Sequence, residues 1–239
     1  MKIVHAIAFI CFCAMATSAL AQDSCNIQLM VAPMTQIDQI PKNVSDQLEI
    51  RLINAITSLG GATASKDYAQ FFVSGRFVNS YKETLPGPPI QTVVRTTLML
   101  YMGDVKHQTI MASENIELKG VGRSEERAML NALQQIKKGN PVIKDFVKRG
   151  TAEIVSYFDK NYQQYLDSAQ RAFEKGHQGE ALYYTGMIPS CSKGYEDARK
   201  LTAKILKKSG STKSPRVIAS EWNRQQRPSR PVIGFVKYK

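Results

Sequence analysis

Histidine, cysteine, tryptophan and acidic side chains are all scarce in this chain. Its 239 residues hold three His, four Cys and one Trp, with 20 Asp plus Glu against 32 Lys plus Arg. The scarcity of His and Cys removes the usual metal patterns: there is no His-x-x-x-His and no Cys-x-x-Cys, and His107 and His177 have no acidic cluster around them. Serine catalysis finds only Val73-Ser74-Gly75, which sits inside a strand pattern without a partner base. No Gly-Lys-Ser or Gly-Lys-Thr follows the Gly120-Val121-Gly122 run, and Glu125-Glu126 behind it would repel a phosphate. The carboxylate pairs Glu125-Glu126 and Glu196-Asp197 fall at helix starts, where they favour the helix dipole. The expectation is a protein that is not an enzyme, with no catalytic, cofactor or metal residues.

What is present is a hydrophobic content of 43% and a formal charge of +12, so a folded core is expected and anionic surfaces have to be considered. Lys2, an uncharged apolar run from Ile3 to Ala16, and Ala19-Leu20-Ala21 ahead of Gln22 read as a secretory signal over residues 1–21. The run is shorter than the ~20 residues that cross a bilayer core. Cys11 and Cys13 follow the bulky Ile10 and Phe12 and Cys25 follows Asp23-Ser24, which disfavours lipidation. Secretion across an inner membrane into the periplasm, or to an outer-membrane surface, is expected, with no transmembrane helix in the mature chain.

Removal of the signal leaves Cys25 and Cys191 in an oxidising space, where one disulfide is the simplest outcome and two free thiols the alternative. Charge is uneven along the rest. Residues 22–150 sum to +3, residues 151–208 to +2 and residues 209–239 to +6. A basic tail on an exported protein points to phosphorylated lipids, anionic glycans or acidic protein faces rather than to nucleic acid.

Alternation at Ile27, Leu29 and Val31 gives a first strand ending at Pro33, and Leu48, Leu52, Ile53, Ile56 and Leu59 give a helix capped by Asn43 or Ser45 and stopped at Gly60-Gly61. Strands follow over Phe71–Tyr81, Thr92–Met102 and Thr109–Leu118, with a loop at Leu85–Pro89 and a turn at Gly103-Asp104. A helix with Met129, Leu130, Leu133 and Ile136 completes a β-α-β-β-β-α order. Asn43-Val44-Ser45 fits the glycosylation pattern formally, and helix capping explains the same residues.

Leu29-Met30-Val31-Ala32-Pro33-Met34, Ala69–Phe77, Leu98-Met99-Leu100 with Gly103-Asp104, and Gly120-Val121-Gly122-Arg123-Ser124 before Ala128 and Ala132 resemble the landmarks of one superfamily. It holds the TolB amino-terminal domain, the curli secretion channel protein and the outer-membrane activators of penicillin-binding proteins. The resemblance covers about residues 26–138 and implies a non-enzymatic envelope module. No partner-binding residue is carried over from it.

From Pro141 an apolar stripe of Ile143, Phe146, Val147, Ile154, Tyr157 and Phe158 reads helical, with Gly150 as a candidate break. Tyr165, Ala169, Gly176 and Ala181 are spaced similarly to a tetratricopeptide repeat, and Ala203 falls 34 positions after Ala169 at the head of a second, incomplete one. The expected organisation is α+β: a signal (1–21), an α/β sandwich (22–140), a tetratricopeptide-like helical unit (141–208) and a basic flexible or strand-forming tail (209–239).

In the tail, Arg227-Pro228-Ser229-Arg230-Pro231 favours extended chain, and Val232, Ile233, Phe235, Val236 and Tyr238 are β-prone. Trp222, Arg224, Arg227, Arg230, Phe235 and Tyr238 are the candidate partner-binding residues. The leading expectation is an exported envelope adaptor or assembly protein that binds protein partners or further copies of itself. The alternative is a binder of anionic glycan or lipid head groups through the tail.

Overall fold

The computed structural model describes residues 25, 27–32, 40–59, 62–63, 69–105 and 109–226. The signal segment, Pro33, Gly60-Gly61, His107 and the tail from residue 227 onward lie outside the described residues.

The architecture is α+β. Five strands, β1 (Gln28–Val31), β2 (Ala62–Thr63), β3 (Phe71–Leu85), β4 (Gln91–Asp104) and β5 (Thr109–Gly122), form one sheet in the order β2-β1-β3-β4-β5. Strand β1 runs parallel to β2 and β3, and β3, β4 and β5 form an antiparallel ribbon. The two-residue β2 is an addition to the order read from the sequence; it is too short to leave an alternation.

Alternate positions of the strands supply one face of the core. Leu29 and Val31, Phe71, Val73 and Phe77, Leu98, Leu100 and Met102, and Ile116 and Leu118 are buried there. Helix α1 (Lys42–Ser58) adds Val44, Leu48, Leu52 and Ile56 at helical spacing. Neither Asn43 nor Ser45 caps it: Pro41 is the N-cap residue, no side-chain cap forms, and the Asn43 amide donates instead to Glu126.

Helix α2 (Glu125–Ala132) begins at Ser124, whose hydroxyl accepts from the Arg127 N–H at 3.2 Å, with Glu125 and Glu126 in its first turn. The glycines before it are not a turn. Strand β5 runs on to Gly122, and a Cβ on Gly120 or Gly122 would strike the α2 backbone at Ala128. Glycine there permits helix and strand to touch. Gly103-Asp104 is likewise strand rather than turn: β4 continues to Asp104, a register shift lies at Met102/Gly103, and a Cβ on Gly103 would lie 2.5 Å from the Thr109 carbonyl.

Helix α3 (Pro141–Glu174) is capped by Asn140, whose side chain accepts from Val142 N–H at 2.9 Å, with Pro141 at the first position. Its 34 residues, about 51 Å of helix, are unbroken at Gly150. There the missing Cβ makes room for the Met102 thioether, so the glycine seats the helix on the sheet. The first half of α3 packs on β4 and β5, and the second half meets α4 (Gln178–Met187) and α5 (Tyr195–Ser209). One apolar cluster therefore runs from the sheet face into the helices.

The segment 209–239 was expected to be flexible or strand-forming, and its first part is corrected by the structure. Residues 215–226 form helix α6 (Pro215–Gln226). Gly210 ends α5 in the left-handed region at φ 60°, Ser214 accepts from the Val217 N–H at 3.3 Å, and Pro215 occupies the first helical position.

Candidate functional site

The carboxyl-terminal helices carry the features that bear on function. Gly176, at φ +79°, turns α3 into α4, and Ala169 and Ala181 are fully buried where the two helices meet. These are the small residues of the repeat-like spacing. Ala203, their counterpart one repeat length on, is exposed. Helix α6 takes α4 as its main neighbour instead of pairing with α5 as a second repeat would require.

That choice opens a cleft. Leu182, Thr185 and Gly186 of α4 and the following Ile188 form one part of its lining, Tyr195, Ala198, Arg199 and Thr202 of α5 a second, and Pro215 and Arg216 of α6 a third. Its volume is about 260 Å³. The Thr202 hydroxyl donates to Thr185 Oγ1 at 2.8 Å, which ties α5 to α4 beside it. Arg199 is held by Glu196 at 2.9 Å on the exposed face of α5. The concavity is mainly apolar, with the Arg199 and Arg216 side chains in its lining.

Cys25 and Cys191 are joined in a disulfide, with Cα atoms 5.3 Å apart. The bridge fastens the chain just before β1 to the turn between α4 and α5, close to the cleft-lining Ile188 and Tyr195. The same turn is held to α3 by the Lys193 N–H, which donates to Asp159 at 2.8 Å.

Of the candidate partner-binding residues, Trp222 and Arg224 lie on α6 and Arg227, Arg230, Phe235 and Tyr238 lie outside the described residues. The half-buried Trp222 ring packs on Tyr183 of α4 at 5.1 Å between centroids and against Gly179, so it holds α6 in place. Arg224 is exposed.

A buried polar group ties the sheet to α3, and sequence patterning did not reveal it. The Gln70 amide donates to Asp104 and, at 3.2 Å, to the Tyr165 hydroxyl, which also meets Tyr157 at 3.2 Å. Burial, and next the Tyr157 hydrogen bond, push the Tyr165 phenol well above the usual tyrosine range. His177 is exposed at the start of α4 and faces Glu180 at 3.3 Å. Among the described residues no group of three His, Cys, Asp or Glu side chains is placed to hold a metal ion. Among the same residues no helix is long and apolar enough to cross a membrane.

No family model matches the chain, and no curated protein matches it. Among solved structures, it is similar to a minor lipoprotein from Acinetobacter baumannii at 17% identity and a TM-score of 0.30, over 53% of this chain and 91% of that one. It is also similar to a PelC dodecamer subunit from Paraburkholderia phytofirmans at 14% identity and a TM-score of 0.35, over 52% and 88%. At these scores the likeness transfers neither fold nor function, and the TolB-type resemblance gains no family match from it.

Proposed function

We propose that this chain is an exported, non-enzymatic adaptor of the cell envelope, acting in the periplasm or at the outer membrane, that holds a segment of a partner protein in the cleft between α4, α5 and α6. The observation that carries the reading is the cleft itself, which exists because α6 docks on α4 rather than completing a repeat with α5. The Cys25–Cys191 disulfide next to it supports an oxidising compartment, since such bonds persist mainly outside the cytosol. The small-residue contact of α3 with α4 supports a tetratricopeptide-like origin for the helical unit.

The test is capture from envelope extracts at low and high salt, with bound proteins identified by mass, using the native chain and Thr202→Arg, which fills the cleft. The reading requires a protein that stays bound in high salt and is lost from the variant while the variant melts like the native chain. Loss of every captured protein in high salt, or the same captured set on both chains, would sink it, because apolar contacts persist where exposed charge is screened.

A further inference from the structure

The ribbon of β3, β4 and β5 extends well past the reach of β1, which pairs only with Phe71, Phe72 and Val73. Over this distal part α2 covers one face of β5 and β4, the face of Gly120 and Gly122, while β3 is exposed on both faces from Asn79 to Leu85. The pairing register sets what stands on the other. Tyr81, Arg95 and Lys119 form one row across the ribbon, Glu83, Val93 and Val121 the next, and Leu85 with Gln91 the last. Paired residues share a face, and every second residue returns to it.

Tyr81 is 58% exposed, Leu85 39% and Val121 38%, while Ile90, in the loop joining β3 to β4, is 64% exposed. Four of the seven large apolar side chains exposed among the described residues therefore gather at one end of the sheet. Scattered exposed apolar residues are ordinary, whereas a group of them marks a contact surface. Basic side chains stand among them: Arg95 and Lys119 in the rows and Arg123 just beyond β5, all exposed. Glu83 is the acid within the rows. Glu117, one row on, accepts from the Thr97 hydroxyl at 2.9 Å.

We propose that this hairpin end docks on a bilayer surface carrying anionic head groups. Tyr81, Leu85 and Ile90 enter the interfacial layer while Arg95, Lys119 and Arg123 meet the phosphates. The apolar residues are carried at and beside the apex of a hairpin, so they can be pushed into head groups without unfolding any element. A lipid surface satisfies apolar and cationic side chains together, and neither kind alone gives lasting attachment at physiological salt. This surface differs from the basic tail and does not depend on the helical cleft; its failure would leave the adaptor reading untouched.

The experiment is co-sedimentation of the purified chain with phosphatidylcholine vesicles, with and without about one third phosphatidylglycerol. Binding is expected to the anionic vesicles and to fall by at least about tenfold both for Tyr81→Ser/Leu85→Ser/Ile90→Ser and for Arg95→Gln/Lys119→Gln/Arg123→Gln. Ile90→Leu retains binding, and Lys204→Gln/Lys207→Gln/Lys208→Gln, which removes the same charge from α5, leaves it nearly unchanged. Melting midpoints establish that each variant is folded. The proposal is overturned if the native chain ignores anionic vesicles or binds neutral ones equally well. It is equally overturned if the serine variant binds like the native chain, or if the α5 variant loses as much as the hairpin variants. Substitutions that spare vesicle binding and remove a captured protein would assign the surface to a protein instead.

Discussion

A Cβ placed on Gly120 would lie 1.9 Å from the carbonyl oxygen of Ala128, so β5 and α2 are in contact backbone to backbone. Gly120→Ala therefore forces the helix off the sheet, because the obstructing atom is main chain and no rotamer change relieves it. Overpacking of this kind costs about 3 kcal/mol, read as a lower urea midpoint. Ala128→Gly in the same chain restores nothing, since the Ala128 carbonyl remains.

The Cys25–Cys191 bridge closes a separation of 166 residues. In the loop-entropy account a bond over that length restricts the unfolded chain by about 5 kcal/mol. Cys25→Ser/Cys191→Ser is expected to lower stability by an amount of that order, and reductant to shift the native chain's unfolding midpoint while leaving the double variant's unchanged. Thiol titration of the unfolded, unreduced protein without residues 1–21, which carry Cys11 and Cys13, should find neither Cys25 nor Cys191 reactive.

The sequence made visible those elements whose apolar period is uninterrupted. Leu29 and Val31, Phe71 and Val73, and Leu48, Leu52 and Ile56 all lie on the core face that their spacing required. Glycine was the common source of error. At Gly103, Gly120 and Gly150 it reads as a turn or a break, yet each position accommodates an atom of another element that is distant in sequence. Helix α6 was masked by the basic charge and prolines around it, although Ser214-Pro215 ahead of Ile218, Ala219 and Trp222 is a valid helix start. The cleft could not be read at all, because it follows from α6 choosing α4 over α5.

Tyr165 makes stability depend on pH at the alkaline end. Its phenol has a folded-state pKa raised above the ordinary value of 10.0, chiefly by burial. The unfolded chain therefore releases this proton first as pH rises. The contribution is complete below about pH 10 and is lost above it, by up to about 1.4 kcal/mol per pH unit. Urea unfolding between pH 8 and about pH 11 should show this decline, and Tyr165→Phe should flatten it. The variant is also less stable at neutral pH, because the buried Gln70 amide and Tyr157 hydroxyl lose a partner.

Trp222 is the only tryptophan in the chain, so its emission reports the docking of α6 without a label. In the folded protein the ring is half-buried against Tyr183 and its Cβ lies 2.6 Å from where a side chain on Gly179 would begin. Gly179→Ala should thus push α6 away while altering nothing in the α6 sequence itself. A red-shifted emission and faster proteolysis near Pro215 are expected for it. Trp222→Ala removes the same contact from the other side, at a cost of about 3 kcal/mol, the lower end for loss of a large aromatic from a packed site because this one is partly exposed. The Lys213–Glu221 ion pair at 3.0 Å, exposed on both sides, cannot hold the helix in its place. Since Pro215 and Arg216 line the cleft, undocking α6 also opens it, and both variants should lose any partner that Thr202→Arg displaces. Emission unchanged in Gly179→Ala would mean that α6 stays seated and that the glycine is not what permits its approach.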